Sequence, residues 1–243
     1  MGKMKKVVLF VVEGSTDETA LQPILKKLLQ NDKVKFDVLH RDITSDIKCN
    51  TKNIKGKIGK EINEYLDVSK LKKKDIKEIV HLIDTDGSFV TADAIEEKEQ
   101  GEIEYTEEKI IVKNKVFIEQ RNQRKTEVVK LLFSTKKILG NIPYTIYYFS
   151  RNREHVFNNV TENLSSNEKW ELAEEFSDKY ENDIEGFCEL MCNSAFAKGD
   201  KYKESWEFIL EGTNSLKRYC NFHIFLKDLH LVSSKLLNIE NNL

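Results

Sequence analysis

The chain has 243 residues, of which 33% are charged and 40% are hydrophobic, and its formal net charge is -2. This length is typical of one domain, or of one domain with an appendage, and it allows a substantial core. The near-neutral charge excludes a globally basic surface for nucleic acid, so any such surface must be local.

The sequence gives few indications of the cellular location of the protein or of the redox state of its cysteines. The first ten residues lack the length and the small-residue cleavage site of a signal peptide. No apolar run approaches the roughly 18–20 residues of a membrane span. We therefore expect a cytoplasmic protein with no membrane partner. The four cysteines form no Cys-x-x-Cys pair, which favours buried thiols over a zinc site.

The first half of the chain predicts alternating strands and helices, from apolar runs and from helical spacing of leucine and isoleucine. Strands are predicted at residues 5–12, 34–39 and 78–83, and helices around residues 21–29 and 54–66. Pro23 must lie in the first turn of its helix or kink it, because it has no amide hydrogen. The alternation implies right-handed crossovers and a parallel sheet.

The second half begins with an acid-rich segment and becomes mainly helical. Residues 96–109 are interpreted as a solvated loop or helix, or alternatively as a surface for a basic partner. Further strands are predicted at residues 109–119 and 144–149, and helices at residues 125–137, 167–180, 184–197, 202–210 and 219–237. The predicted fold is α/β, with a parallel sheet flanked by helices in residues 1–160 and a C-terminal mainly helical extension, residues 161–243, packed on it.

Carboxylates follow three of the predicted strands. Glu13 ends the first, Asp84 and Asp86 follow the third, and Glu154 comes soon after the strand at residues 144–149. The carboxyl ends of parallel strands meet at one edge of a sheet, so we expect these acids to converge. If the chain stays extended from Asp84 to Asp86, both side chains point the same way. Converging carboxylates repel one another, and a divalent cation with oxygen ligands, Mg²⁺ or Mn²⁺, removes that repulsion.

Each acid also has an ordinary structural interpretation. Glu13 alone is compatible with a loop acid, and Asp17 alone with a helix N-cap. Asp17 lies four residues after Glu13, across a strand-to-helix turn that is able to bring both toward one point. An isolated Asp-x-Asp is a weak signal, so the prediction of a metal site depends on the combination.

These motifs resemble the toprim fold, and in particular the overcoming-lysogenization-defect (OLD) nucleases. In that branch the first Glu begins a stretch of the form Glu-Gly-x-Ser/Thr-Glu/Asp, followed by leucines and a proline. Residues 13–23 read EGSTDETALQP, and Asp84-x-Asp86-Gly87 follows a later strand. Residues 150–157, SRNREHVF, look like the later serine-and-glutamate segment of stand-alone toprim proteins in restriction and phage-defence loci. The resemblance covers roughly residues 5–160.

The resemblance implies a site and a metal. Glu13 would act as general acid/base or metal ligand, and Asp84 and Asp86 as the principal ligands of Mg²⁺ (or Mn²⁺). Asp17 and Glu154 would be supporting ligands, near which a second ion would bind.

It also implies a nuclease that hydrolyses phosphodiester bonds of DNA or RNA, an effector in phage defence. A downstream lysine would lie near the scissile phosphate, and Lys201 and Lys203 are the candidates, with surface lysines as the alternative. Basic segments at residues 48–60, 70–74 and 121–125 are candidate nucleic-acid contacts or ordinary solvated faces.

Two other functions stay open. The chain contains no Gly-x-x-x-x-Gly-Lys-Ser/Thr motif, so control by ATP would require a separate ATPase partner. A non-catalytic toprim-fold subunit or sensor working with that ATPase is the second hypothesis. A phosphatase or phosphotransferase of the Asp-x-Asp type is the third, disfavoured because its Asp-x-Asp usually follows the first strand.

Overall fold

The computed structural model describes residues 6–29, 33–38 and 42–229. The strands are β1 (Val7–Val12), β2 (Lys33–Val38), β3 (Ile76–Asp84), β4 (Ile95–Glu97), β5 (Glu104–Tyr105), β6 (Ile110–Val112), β7 (Lys137–Ile138) and β8 (Ile142–Phe149). The main sheet has the order β2-β1-β3-β8-β7. Its first four strands are parallel, and β7 pairs antiparallel with β8 at the edge.

Helices cover the sheet and continue to the end of the described chain. They are α1 (Ser15–Leu28), α2 (Ile54–Ser69), α3 (Lys115–Ser134), α4 (Arg153–Asn158), α5 (Ser166–Tyr180), α6 (Ile184–Met191), α7 (Tyr202–Ile209) and α8 (Phe222–Asp228). The predicted α/β class, with a mostly parallel sheet, flanking helices and a helical C-terminal part, is confirmed.

The strand β1 is buried on both faces. Phe10 and Val12 belong to an apolar cluster with α1, α5, α6 and α8, whereas Leu9 and Val11 belong to a cluster with α2, α3 and α7. Alternate residues of a strand point to opposite faces, so burial on both sides requires the continuous apolar run that predicted this strand. Residues on both sides of position 160 share these clusters.

The acid-rich segment differs from its prediction. Two short strands, β4 and β5, lie within it and pair with β6 in a three-stranded sheet of order β4-β6-β5. Ile95 and Ile110 are buried in a third apolar cluster. A few apolar residues among many glutamates therefore suffice to form a small sheet whose acids remain outside.

The strand predicted at residues 109–119 ends at Val112. Helix α3 begins at Lys115, ten residues earlier than predicted. The cause is local, because the Asn114 side chain accepts a hydrogen bond from the amide of Phe117 at 2.9 Å and caps the helix.

Other predicted boundaries also change. Pro23 lies in the middle of α1, outside its first turn. The helix predicted at residues 184–197 ends at Met191, and α4 was not predicted. The helix predicted at residues 219–237 is seen as α8 up to Asp228, and its part beyond residue 229 lies outside the described residues, as do residues 5 and 39 of two predicted strands.

Candidate active site

The predicted acids lie where the strand order of the sheet reverses. From β1 the chain proceeds to β2 on one side, and from β3 it proceeds to β8 on the other. Open α/β sheets bind ligands in the crevice outside the carboxyl ends of strands at such a switch point. Glu13 follows β1 directly, and Asp84 is the last residue of β3. These two acids therefore lie where such a crevice is expected.

The turn after β3 departs from the expected extended form. Asp86 has a φ of 47° and Gly87 a φ of 64°, both left-handed. The amide of Asp86 donates to the carbonyl of Arg151 at 3.0 Å, and that of Thr85 to the carbonyl of Phe149 at 3.0 Å. The Asp84 and Asp86 side chains are thus related by a turn held against the end of β8, and strand alternation does not set their directions.

A buried lysine joins Asp86 to an acid that was not predicted. Lys125 of α3 is fully buried, and its Nζ lies 2.5 Å from Asp86 Oδ2 and 2.8 Å from Asp42 Oδ2. Asp42 also accepts hydrogen bonds from the amides of Thr44 and Ser45, at 2.9 and 3.0 Å.

These contacts keep both Asp42 and Lys125 charged. Burial opposes ionisation of Asp42, but Lys125 and the hydrogen bonds outweigh it and hold the pKa of Asp42 below its usual value. Burial likewise disfavours the ammonium of Lys125, but Asp42, Asp86 and Glu13 outweigh it and raise the pKa of Lys125. The pKa of Asp86 is raised by burial despite Lys125.

A buried arginine joins the two supporting acids. Arg153 of α4 is fully buried, and its Nε lies 3.0 Å from Asp17 Oδ1 while its Nη2 lies 3.0 Å from Glu154 Oε1. The other oxygen of Asp17 accepts a hydrogen bond from the amide of Gly14 at 3.3 Å. Asp17 therefore serves the start of α1 and the acidic group together. Burial and the negative charge of Glu154 raise the pKa of Asp17, although Arg153 lowers it.

Glu13 and Asp84 have no basic side chain in contact within the described ranges, unlike the four acids that are paired with Lys125 or Arg153. Glu13 Oε1 is buried and accepts no hydrogen bond from the described part of the chain. The Asp84 carboxylate likewise accepts none within the described ranges. Burial raises the pKa of Glu13, and the carboxylates of Asp42, Asp84 and Asp86 raise it further.

The same holds for Asp84, whose pKa is raised first by burial and then by Asp17, Asp86 and Glu154. Asp84 therefore interacts with acids of both ion-paired groups, and through it the five predicted acids form one connected set. The structure brings together at one edge of the sheet residues that lie up to 141 positions apart in sequence.

The group fits a magnesium or manganese ion in its chemistry. Its donors are carboxylate oxygens, the buried oxygen of Glu13 lacks a partner, and a cation would relieve the repulsion that raises the pKa values. Among residues 6–29, 33–38 and 42–229, no three His, Cys, Asp or Glu side chains already surround one point as ligands. Four of the acids face Lys125 or Arg153 instead, which leaves Glu13 and Asp84 as the acids of the group without a basic contact in these ranges.

The two downstream lysines lie apart from this group. Lys201 and Lys203 are exposed and form ion pairs with Glu204 and Glu207 at 3.0 and 3.3 Å. Their role at a scissile phosphate stays a prediction. Lys125, by contrast, is buried in the acidic group, so this residue of the basic segment at residues 121–125 is not a solvated contact. A nucleic-acid contact by the rest of that segment stays a prediction.

Three residues of the group were missed from sequence. Asp42 lies four residues after the end of β2, so extending the rule about strand ends to the following loop would have found it. Lys125 and Arg153 carried no such signal. Helix α3, which carries Lys125, was predicted to begin ten residues later than it does, and α4, which carries Arg153, was not predicted. A lysine or arginine among charged neighbours also ordinarily indicates a solvated position.

No protein-family model, no curated protein and no solved structure matches this chain. The toprim resemblance therefore rests on the motifs themselves. None of the helices in the described ranges has the length and apolar character needed to cross a membrane.

Proposed function

We propose that this chain is a divalent-metal-dependent phosphodiester hydrolase that acts on DNA or RNA. The observation that carries the proposal is the pair Glu13 and Asp84, half-buried acids at the switch point of a parallel sheet. Within the described residues no basic side chain contacts either acid, and burial raises the pKa of both. Placing such acids together costs stability, and structures keep this arrangement where a ligand uses it. When bound, Mg²⁺ or Mn²⁺ polarises a phosphate and lowers the pKa of an attacking water.

The acids of the group would have different roles in the proposed reaction. Glu13 and Asp84 would hold the ion with their oxygens, and Asp86, which the resemblance names as a further ligand, would adjoin it while paired with Lys125. Because its pKa is raised, Glu13 is also suited to accept a proton from water and return it to the leaving oxygen. Asp17 and Glu154 are fixed by Arg153 and support the group from its far side.

The nucleic-acid substrate and the role in phage defence come from the resemblance to OLD-like nucleases. The resemblance names the same acids that the structure gathers: Glu13, Asp84 and Asp86. Agreement between the motif and the geometry supports the hydrolase over the Asp-x-Asp phosphatase, because Asp84 ends β3, the third strand along the chain, and Glu13 follows the first.

The test is cleavage of labelled single-stranded DNA, double-stranded DNA and tRNA with Mg²⁺ or Mn²⁺. We expect Asp84→Asn to reduce cleavage by at least about 100-fold, because it removes one charge from the metal centre. Asp67→Asn, on the exposed face of α2, is the matched control and should cleave as the wild type does. Equal cleavage by wild type and Asp84→Asn would show that the site is assigned wrongly.

The second candidate is a non-catalytic subunit that works with a separate ATPase. Its support is the small sheet, whose glutamates, including Glu96, Glu97 and Glu104, are exposed and offer a docking surface to a basic partner. Metal-dependent cleavage that Asp84→Asn abolishes would favour the hydrolase. Absence of cleavage together with ATPase binding that is lost when these glutamates become glutamines would favour the subunit.

A further inference from the structure

Two basic side chains divide the acidic group into three parts. The Lys125 ammonium contacts Asp42 and Asp86, and the Arg153 guanidinium contacts Asp17 and Glu154. All four separations fall between 2.5 and 3.0 Å, which are charge-assisted hydrogen-bond distances. Each basic group therefore already occupies the position of a cation between two carboxylates.

Neither basic group is free to withdraw. The side chains of Lys125 and Arg153 are both 0% exposed, so no route along the surface leads their charges to water. An ion that took Asp86 and Asp42 as ligands would leave the Lys125 ammonium buried without a partner. Breaking one side of a buried pair is strongly unfavourable for the charge that remains.

Only the central part of the group lacks such a cation. Within the described residues, Glu13 and Asp84 are the members with no basic side chain in contact. Two carboxylates carry the charge that one divalent ion neutralises. With all six carboxylates ionised, each flanking pair keeps one net negative charge beside its basic group, whereas Glu13 and Asp84 keep two, so the excess negative charge is greatest at this central pair.

We infer that the metal centre takes a single divalent ion, at Glu13 and Asp84, and that Lys125 and Arg153 act as built-in cations in the flanking positions that further ions would otherwise fill. This inference rests on the proposed function and deepens it. It replaces the expectation of a second ion near Asp17 and Glu154, since Arg153 already lies between those two acids. Lys125 and Arg153 are positioning residues in this scheme, because they act by fixing the carboxylates.

The test counts ions on the whole chain with Mn²⁺ alone, by the loss of the free Mn²⁺ paramagnetic resonance signal. We expect one ion per wild-type chain and a second in Lys125→Met, where Asp42 and Asp86 become available. Lys130→Met, an exposed position on the same helix, is the matched control and should bind one ion. Asp84→Asn should bind none.

The possible results separate the two proposals. Two ions on the wild type would overturn the single-ion inference and leave the hydrolase standing. No ion on the wild type would overturn the metal centre and therefore the proposed function. A folded Lys125→Met that binds only one ion would show that the lysine does not occupy an ion position. If Lys125→Met does not fold, Lys125→Gln is measured instead, and the wild-type count decides the stoichiometry in either case.

Discussion

At the scale of single residues, the acidic group contains charged side chains of two kinds. Lys125 and Arg153 are buried cations balanced by carboxylates at 2.5–3.0 Å. Glu13 and Asp84 are acids in the same surroundings that no basic side chain of the described residues contacts, and burial raises the pKa of both. The first kind stabilises the fold only while both partners are present, and the second kind destabilises the metal-free protein. Substitutions at the two kinds should therefore change stability in opposite directions.

Asp84→Asn should stabilise the metal-free protein at pH 7. The raised pKa of Asp84 means that the folded state binds its proton more tightly than the unfolded state, so the stability of the wild type falls as pH rises from the unfolded pKa through the folded pKa. We expect a gain of about 0.5–2 kcal/mol, as is common where a functional site is neutralised. Urea unfolding with chelator measures it. The gain should vanish below about pH 4, where both states are protonated, and a gain that persists there would contradict this cause.

Lys125→Met should destabilise the metal-free protein at pH 7 by about 3–5 kcal/mol, because it leaves Asp42 and Asp86 without their buried cation. Asp42 has a lowered folded pKa, so its contribution is present above its unfolded pKa and is lost as pH falls toward the folded value. The deficit of the variant should therefore shrink in acid. Urea unfolding at pH 7 and at about pH 2.5, below the unfolded pKa of an aspartate, measures both, with Lys130→Met expected within about 0.5 kcal/mol of wild type.

At the scale of elements, the turn after β3 decides how the acids are presented. Gly87 has a left-handed φ, and a Cβ there would lie 2.4 Å from Leu216 Cδ2. This glycine permits both the reversal of the chain and the close approach of the segment near α7. Without that turn, Asp86 would not reach Lys125 on α3. The conformation of residues 84–87 therefore links the main sheet to α3, the helix that carries the buried Lys125.

Gly87→Ala should cost about 1–3 kcal/mol, because alanine is strained at positive φ and its methyl group meets Leu216. Gly56→Ala, in the helix α2 with no atom within 4 Å of the added Cβ, is the control and should stabilise by about 0.5–1 kcal/mol. Thermal or urea unfolding of the two variants gives the comparison. Equal effects would mean that the turn is not strained by a side chain.

At the scale of the whole molecule, ion binding should be coupled to folding and to pH. An ion that binds the folded chain stabilises it by about 2.7 kcal/mol at one hundred times its dissociation constant. Binding requires ionised Glu13 and Asp84, whose pKa values are raised, so the stabilisation by Mg²⁺ should increase with pH. Unfolding midpoints with Mg²⁺ or chelator, between pH 5 and 8, test this. Asp84→Asn should show no such increase, and Asp67→Asn should behave as the wild type.

The sequence by itself determined the elements whose signal is local or periodic. The apolar run of β1 requires burial on both faces, and the spacing of Leu21, Ile24 and Leu25 requires one buried helix face. Strand ends carrying Glu13 and Asp84 also placed acids at one edge, because parallel strands share an edge. These conclusions follow from periodicity and chain direction alone.

Only the tertiary structure decided which charges meet. In the sequence, Lys125 looks like a surface lysine. It becomes the buried partner of Asp42 and Asp86 because α3 packs on the face of the main sheet from which their loops extend. Arg153 likewise meets Asp17 across 136 positions. Such pairs depend on packing between elements distant along the chain, and no local spacing encodes them. That packing left Glu13 and Asp84 as the uncompensated acids, and so set where an ion would bind.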